Sequence, residues 1–308
     1  MDTLTRSVPF QLRANDVVRH IINVDSRFRD APTVSSAANF NFSLLSPVRN
    51  VLRIRVTSVE FPNNYYFFTH RRRNTWFRVV PDVGPAYDIE VPDGNYTAGE
   101  MADAIAADIS GQGIGWLSVS FSETEGAFTF TSTGATPFTI DTAARSWNRP
   151  FDYGLGFYLG FSRGSHPAVA DGPGVFSVTS DRCANFAGDN YLFVRVNDYD
   201  CVRQTVRVYA ATGVADLQTN EFPALAKIVL REPKNYMAFD DYASQHAKEV
   251  VFPAPSDIPR LQIQVLDAYG EQMDLCGAQW SMSLEVLEVR NLSLYNSLRD
   301  SLSVRYTV

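Results

Sequence analysis

The sequence predicts an all-β protein that contains a small helical insertion, and three observations lead to this prediction. Short segments of alternating apolar and polar residues recur along most of the 308 residues, which is typical of half-buried strands. Aromatic residues, which favour strands, make up 13% of the chain. The clearest helical period is confined to one stretch, which begins at Thr97 and ends near Ile109. This length suffices for one large β unit or for two domains.

The N-terminal third begins with an arm and continues as strands. Residues 1–16 have no clear period and predict an extended arm that needs a partner or the body of the protein to become ordered. Strands are predicted at 17–24, 38–45, 50–61 and 75–80. In the third of these, Leu52 and Ile54 alternate with Arg53. The alternation predicts one apolar face and one cationic face over the whole segment.

Residues 81–164 predict an inserted module of one helix and a β-meander. Thr97 can cap the helix, and Glu100 lies three residues later, which completes a capping box. Apolar residues at 101, 105 and 109 share one helical face. The segments WLSVSF, AFTFTS and FTID follow with short turns between them, which is typical of a meander.

The remaining strands complete a double sheet. They are predicted at 190–196, 202–209, 225–231, 248–252, 260–267 and 280–289. About eight major strands with long loops favour a jelly roll over a closed up-and-down barrel. The predicted organisation is an arm at 1–16, a jelly roll at 17–80 and 165–290, the insertion at 81–164 and a tail at 291–308. The tail is weakly amphipathic, so a short helix and an exchanged arm both remain open.

The charge of the chain is acidic, with a net value of −7. A protein that mainly binds nucleic acid normally has a basic excess or a basic face. All but three cations are arginines, which suits desolvated pairing at protein interfaces. Codon usage explains the same bias equally well. The basic run Arg71-Arg72-Arg73 lies between two strands. It predicts a solvated turn or a contact with an acidic neighbouring subunit, ahead of nucleic acid or lipid.

The cysteine pattern and the hydropathy set further limits. Cys183, Cys201 and Cys276 are odd in number and contain no CxxC spacing, so buried thiols are expected rather than disulfides or a zinc site. The N-terminus lacks the apolar core of a signal peptide. No apolar run approaches the ~18 residues that a membrane span needs. These features predict a soluble protein that is made inside the cell.

Motifs that carry chemistry are weak in this sequence. The four histidines, His20, His70, His166 and His246, show no metal-ligand spacing, and neither HExxH nor GxSxG occurs. Acidic pairs occur at Asp198 and Asp200 and at Asp240 and Asp241. The stretch from Asn197 to Asp200 offers oxygens to a divalent cation, but turn chemistry accounts for it better. We therefore predict no catalytic, cofactor-binding or metal-binding residues, no cofactor and no enzymatic activity.

Three segments together resemble a known family. They are INVDSRFRD with NFNFSLLSPVRNVLRIRVTSVEFPNN, then DGNYTAGEMADAIAADI with FTFTS and LGF, and finally LQIQVLDAYGEQMDLCGAQWSMSLEVLEV. In this order the chain resembles minor capsid and penton-type jelly-roll proteins of nucleocytoplasmic large DNA viruses. The two tails and the three-arginine loop have no counterpart in that resemblance.

The resemblance implies a structural component of an icosahedral capsid. Such a protein is either the vertex penton or a minor capsid protein that cements major capsid capsomers. Its expected partners are the major capsid protein, neighbouring minor capsid proteins or copies of itself, including a pentamer. Its expected location is the virion, after synthesis in the host cytoplasm. The alternative from the residues alone is an all-β module that binds carbohydrate or a host receptor. A hydrolase built on a β-sandwich is a weaker third hypothesis, because no base–nucleophile pair is evident.

Overall fold

The structure is a computed structural model that describes residues 16–143, 154–197, 205–210, 218–230, 237–240 and 249–305. The chain forms two compact units. The first contains residues 1–65, 189–208 and 220–308, and the second contains residues 66–188 and 209–219. The domain limits expected from the sequence stay a prediction. Within the described residues, no helix has the length and apolar character needed to cross a membrane.

Strands dominate both units, and short helices interrupt them. In chain order the elements are β1 (Val17–Asp25), β2 (Asn39–Pro62), β3 (Trp76–Pro81), β4 (Tyr87–Glu90), α1 (Ala98–Gly111), β5 (Leu117–Ser122), β6 (Ala127–Ser132), β7 (Phe138–Asp141), α2 (Leu155–Leu159), β8 (Ser165–Pro167), β9 (Val169–Ala170), β10 (Phe176–Thr179), β11 (Tyr191–Asn197), β12 (Thr205–Ala210), β13 (Gln218–Pro223), β14 (Ala226–Val229), β15 (Met237–Asp240), β16 (Glu249–Leu266), β17 (Ser281–Val289) and α3 (Leu292–Arg305). The predicted arm lies outside the described residues except for Asp16.

The first unit is a jelly roll, as its strand register shows. Its sheet runs β1-β17-β2-β16-β11-β14, and β15 also pairs with β2. The two long strands change partners along their length. Residues 51–60 of β2 pair with β17, and residues 53–55 pair with 249–251 of β16. Residues 39–48 of β2 pair with 258–264 of β16, which continues to β11 and β14. The sheet therefore has seven strands, and its two halves share β2 and β16. The predicted jelly roll is confirmed, with seven strands where about eight were expected.

The interior between the two halves of the sheet is mainly aliphatic. Its buried residues come from both halves and include Ile54, Val194, Ile263 and Leu284, each no more than 1% exposed. A β-bulge between Ser283 and Leu284 shifts the pairing of β17 with β2. Because a bulge adds one residue to one strand, it changes which side chains face inward. The core contacts along β2 therefore do not follow a single alternation.

This bulge corrects the strict alternation expected for residues 50–61. Val59 belongs to the interior together with Ile54 and Val56, although alternation placed it on the cationic face. A second register shift, between Leu287 and Glu288, places Leu52 with Val289 and Tyr295. Tyr295 comes from α3, so at least the first part of the tail is a helix that packs on this strand pair. Sequence periodicity misses such shifts because bulges depend on the partner strand.

The second unit has an aromatic interior covered by α1. The predicted capping box is present: the Thr97 N–H donates to Glu100 Oε2 at 2.8 Å, and the Glu100 N–H donates to Thr97 Oγ1 at 3.3 Å. Met101 and Ile105 are fully buried. They belong to a cluster rich in phenylalanine that includes residues of β3 and β6. The helix therefore supplies the aliphatic cover of a phenylalanine-rich core.

Two small sheets make up the rest of this unit, with orders β5-β6-β10-β9 and β4-β3-β7-β8. The predicted hairpin of β5 and β6 is present, but β7 leaves it and pairs with β3. Gly160 follows α2 with a φ of 95°. A Cβ at this position would lie 2.1 Å from the Arg182 carbonyl oxygen, so this close approach requires glycine. Gly160 is the glycine of the second of the two L-G-F sequences, residues 159–161.

Candidate functional site

The end of β1 is a tightly bonded corner, which we call the Asp25 corner (residues 25–29). Asp25 is 3% exposed and precedes a single 3-10 turn, Ser26–Phe28. Its carboxylate accepts hydrogen bonds from the Arg27 backbone N–H at 2.9 Å and from Arg27 Nη2 at 2.6 Å. The hydrogen bonds from Arg27 hold the pKa of Asp25 below its ordinary value. Asp25 therefore caps the turn as an ionised carboxylate, and the positive charge of Arg27 balances its negative charge.

Ser26 joins this corner to the start of β17. The residue is fully buried. Its N–H donates to the Trp280 carbonyl at 2.9 Å, and its Oγ accepts from the Trp280 N–H at 2.9 Å. The same hydroxyl donates to Gln279 Oε1 at 2.8 Å. Ser26 thus joins the first and the third of the three segments on which the family resemblance rests, so this serine has a structural role.

Arg29 fixes the loop that follows. Its Nη1 donates to the Ser26 carbonyl at 2.6 Å and to Gln279 Oε1 at 2.9 Å. Its other nitrogens reach the carbonyls of Ser35 at 3.3 Å and Pro32 at 3.2 Å. Four acceptors on one planar guanidinium restrict the loop strongly, because the fork geometry fixes their directions. The Asp25 corner is therefore preorganised.

A large aromatic side chain projects from this preorganised turn. Phe28 is 73% exposed, and the Arg27 guanidinium carbon lies 5.8 Å from the centroid of its ring. This pairing is a cation–π contact at the surface. An exposed aromatic residue held on a rigid turn is typical of the anchors that dominate protein interfaces.

Beside the turn lies a cleft of about 230 Å³, which we call the corner cleft. It is lined by Asp25, Arg27, Glu60, Gln279, Trp280 and Ser281. The charges of Asp25 and Arg27 cancel, since the two form an ion pair at 2.6 Å. Glu60 is exposed, and its Oε2 accepts a hydrogen bond from Ser281 Oγ at 2.6 Å. Within the part of the chain that the structure describes, the corner cleft therefore carries one uncompensated negative charge, that of Glu60.

The arginine run forms a rigid turn in the second unit, which we call the basic turn (residues 70–73). The Arg73 N–H donates to the His70 carbonyl at 3.0 Å, and Arg73 has a φ of 54°. The guanidinium carbon of Arg72 lies 5.2 Å from the centroid of the Phe67 ring. Next to the turn, the buried side chain of Asn74 donates to the Phe67 carbonyl at 3.0 Å. The side chain of Arg72 and the backbone of Arg73 are thus used within the fold.

His70 closes the basic turn against two carboxylates. Its Nε2 lies 2.9 Å from Glu90 Oε1, and its Nδ1 contacts Asp93 Oδ1. The backbone N–H of His70 also donates to Asp93 Oδ1 at 2.8 Å. The hydrogen bond to Asp93 raises the pKa of His70, and the charge of Glu90 raises it further. Arg71, in contrast, is exposed and makes no polar contact with the described residues.

A third charged group is buried in the first unit. Arg53 is 3% exposed, and its Nη2 donates to Glu285 Oε1 at 2.9 Å. Arg55 donates to the other oxygen of Glu285 at 3.1 Å. Arg53 Nη1 also lies 3.6 Å from Glu249 Oε2. The alternation along β2 predicted a cationic face, but the sequence alone did not indicate that Glu285 would bury these cations.

The other residues considered from the sequence are scattered. His20 contacts Glu288 Oε2 at 2.6 Å between β1 and β17, and His166 Nε2 contacts the Ser162 carbonyl at 2.8 Å. Asn197 donates to Gln262 Oε1 at 3.3 Å. Asp240 ends β15. The described part of the chain contains no group of three or more His, Cys, Asp or Glu residues that could hold a metal ion.

Several predicted positions lie outside the described residues, namely Cys201, Asp198, Asp200, Asp241 and His246. The cation loop from Asn197 to Asp200 therefore stays a prediction. Cys183 and Cys276 are free thiols and exposed, so the expectation that they are buried is wrong. Cys276 occupies a turn with a φ of 50°, and such positions lie at the surface because turns expose their backbone.

Comparisons with known proteins found structural likenesses only. No family model and no curated protein matches the chain. The mavirus penton protein is 11% identical with a TM-score of 0.48, and the match covers 88% of this chain and 98% of that one. A chain of the Sputnik virophage is 13% identical with a TM-score of 0.41, covering 91% of this chain and 99% of that one.

Proposed function

We propose that this protein is a structural component of an icosahedral capsid of a large DNA virus. In this role it is a penton at the vertex or a minor capsid protein that joins major capsid capsomers. The proposal rests on one observation. The first and third of the segments that resemble minor capsid and penton-type proteins build the framework of one jelly roll, and Ser26 bonds the first of them to the start of β17.

The exposed apolar side chains support a role in assembly. Several of them project from the first unit, and these are Ile21, Phe28, Val34 and Leu45, each at least 66% exposed. Single exposed apolar residues are ordinary on a protein surface. Phe28 differs because the Asp25 corner holds it rigidly, which lowers the entropy lost when a partner covers it. A subunit contact is the use that best fits this feature.

The proposed mechanism needs no chemical step. The jelly roll provides a stiff body, because β2 and β16 each run through both halves of its sheet. A rigid subunit keeps its contact surfaces at fixed relative positions, and a regular shell requires this. If the protein is the penton, its neighbours must meet through heterologous contacts that close a five-fold ring.

The direct test is the location and stoichiometry of the chain in purified particles. For a penton, cryo-electron microscopy of the particles should show density for this jelly roll at the five-fold vertices. For a minor capsid protein, the density should lie against the capsomers of the facets. Absence of the chain from washed particles would refute both forms of the proposal.

The carbohydrate-binding alternative has a separate readout. Sugar-binding sites normally offer an exposed aromatic face inside a pocket, whereas the aromatic residue that lines the corner cleft, Trp280, is only 3% exposed. A glycan array with the purified protein should therefore show no binding at micromolar strength. Reproducible binding of one glycan class would favour the alternative.

A further inference from the structure

We propose that the corner cleft of one copy of this chain receives Arg71 from the basic turn of a second copy. The pair formed between Glu60 and Arg71 would then be a principal polar contact between neighbouring subunits. This inference rests on the proposed function, and it names a partner and a site for the contact.

The cleft has the charge and the size for a guanidinium group. Glu60 Oε2 accepts one hydrogen bond, from Ser281, so the carboxylate keeps acceptor capacity for an incoming donor. Asp25 is already paired with Arg27 and does not compete. A cavity of roughly 150 Å³ holds a benzene molecule, and the corner cleft measures about 230 Å³. A flat guanidinium group and part of its stem therefore fit.

The donor is equally well prepared. The basic turn is closed by its own backbone hydrogen bond, by the contacts of His70 and by the position of Arg72 over Phe67. Arg71 is exposed at its tip. A side chain on a fixed turn loses less entropy on binding than one on a loose loop. Arginine also matches a carboxylate through two parallel hydrogen bonds, which lysine cannot form.

The surroundings of the turn favour an acidic protein surface over nucleic acid. Glu90 and Asp93 flank it through His70, and their two negative charges offset part of the positive charge of the turn, which weakens its attraction for phosphates. Binding to nucleic acid usually requires several available cations on one face. One available arginine beside two carboxylates suits pairing with a single carboxylate.

A second copy of the chain is the partner that offers both halves of this contact. Because the chain has a net charge of −7, two copies repel each other overall, and a local pair of opposite charges is needed where they meet. A ring of identical subunits joins two different patches at each contact. The corner cleft belongs to the first unit and the basic turn to the second, so the pair meets this condition.

The experiment is a charge swap measured by sedimentation velocity over a range of protein concentrations. Arg71→Glu and Glu60→Arg should each weaken self-association by roughly tenfold to hundredfold, because each places like charges together. The chain that carries both changes should recover most of the lost association, since the reversed pair is again complementary. Arg163 is exposed and makes no polar contact with the described residues, so Arg163→Glu is the matched control and should have little effect.

Each alternative outcome overturns the inference. These are equal effects of Arg71→Glu and Arg163→Glu, no recovery in the double variant, and a wild-type chain that stays monomeric at its highest soluble concentration. Circular dichroism verifies folding, and Glu60→Gln replaces Glu60→Arg if the latter does not fold. Unchanged self-association in both single variants would refute this contact while leaving the proposed function intact. Absence from particles would refute the proposed function itself.

Discussion

The buried network of Arg53 and Glu285 and the exposed contacts of His70 place similar ion pairs in opposite surroundings. Glu285 is 6% exposed as a residue, whereas the side chain of His70 is 56% exposed. In the first case the strand pairing removes both charges from water, and each depends on the other for compensation. In the second, water solvates the charges whether or not they meet. The comparison teaches that an ion pair is required for stability where it is buried, in the first unit. Where it is exposed, in the second unit, it can form or break at little cost.

The largest effect should come from breaking the buried network. Glu285→Ala leaves Arg53 buried with only the longer contact to Glu249. We expect a loss of about 3 kcal/mol in the free energy of unfolding, measured by urea titration followed by circular dichroism. Glu288→Ala, at the partly exposed contact with His20, is the control and should cost much less. Equal losses in the two variants would contradict the distinction between buried and exposed pairs.

A buried neutral group should give the next largest effect. Ser26→Ala removes the acceptor of the Trp280 N–H and the donor to Gln279. We expect a loss of roughly 2 kcal/mol, the cost of leaving buried polar groups unpaired. The same urea titration measures it. Ser35→Ala serves as the control, because the Ser35 hydroxyl bonds only to loop carbonyls near the surface. A Ser26→Ala chain as stable as the wild type would show that the Asp25 corner does not depend on this serine.

An exposed polar contact to the backbone should have an intermediate effect. Thr97→Ala removes the side-chain acceptor of the Glu100 N–H at the start of α1. The expected loss is about 1 kcal/mol, measured as a lower midpoint of urea unfolding for the second unit. Thr97→Ser retains the hydroxyl and should restore most of the stability. If serine and alanine behave alike, the cap contributes nothing measurable.

The smallest effect should be the pH dependence of the His70 contacts. The pKa of His70 in the folded chain is raised by Asp93 and Glu90, so protonation favours the folded state. This contribution is complete below the ordinary histidine pKa of about 6.5 and is lost as the pH rises through the raised value. A proton NMR titration should show the His70 pKa falling towards its ordinary value in Asp93→Asn. An unchanged pKa in this variant would contradict the assignment.

The exposure of the His70 side chain limits how much its protonation can change the free energy of unfolding. Because the side chain of His70 is more than half exposed, solvent screens its contacts. We therefore expect Asp93→Asn to change the free energy of unfolding only slightly near neutral pH. Added salt should reduce even this difference, since it screens surface charges. A large, salt-independent loss would place His70 in the same class as Glu285.

Local patterns in the sequence determined the class of fold and its most regular parts. The alternating segments predicted the β strands, and Thr97 with Glu100 predicted the start of α1, because both signals depend on neighbours a few residues apart. The strand predicted at 17–24 also agrees with β1 to within one residue. These features require no knowledge of distant parts of the chain.

Only the tertiary structure decided how distant residues share their charges. Ser26 meets Trp280 across 254 positions, and Arg53 meets Glu285 across 232. The bulges that bring Val59 into the interior depend on the register of β17. The same holds for the charges at the surface. Among the described residues, Glu60 keeps an uncompensated charge and Arg71 stays available because the groups around them are already paired with each other. Pairing between strands is set by the packing of the whole sheet, and a linear pattern contains no record of it.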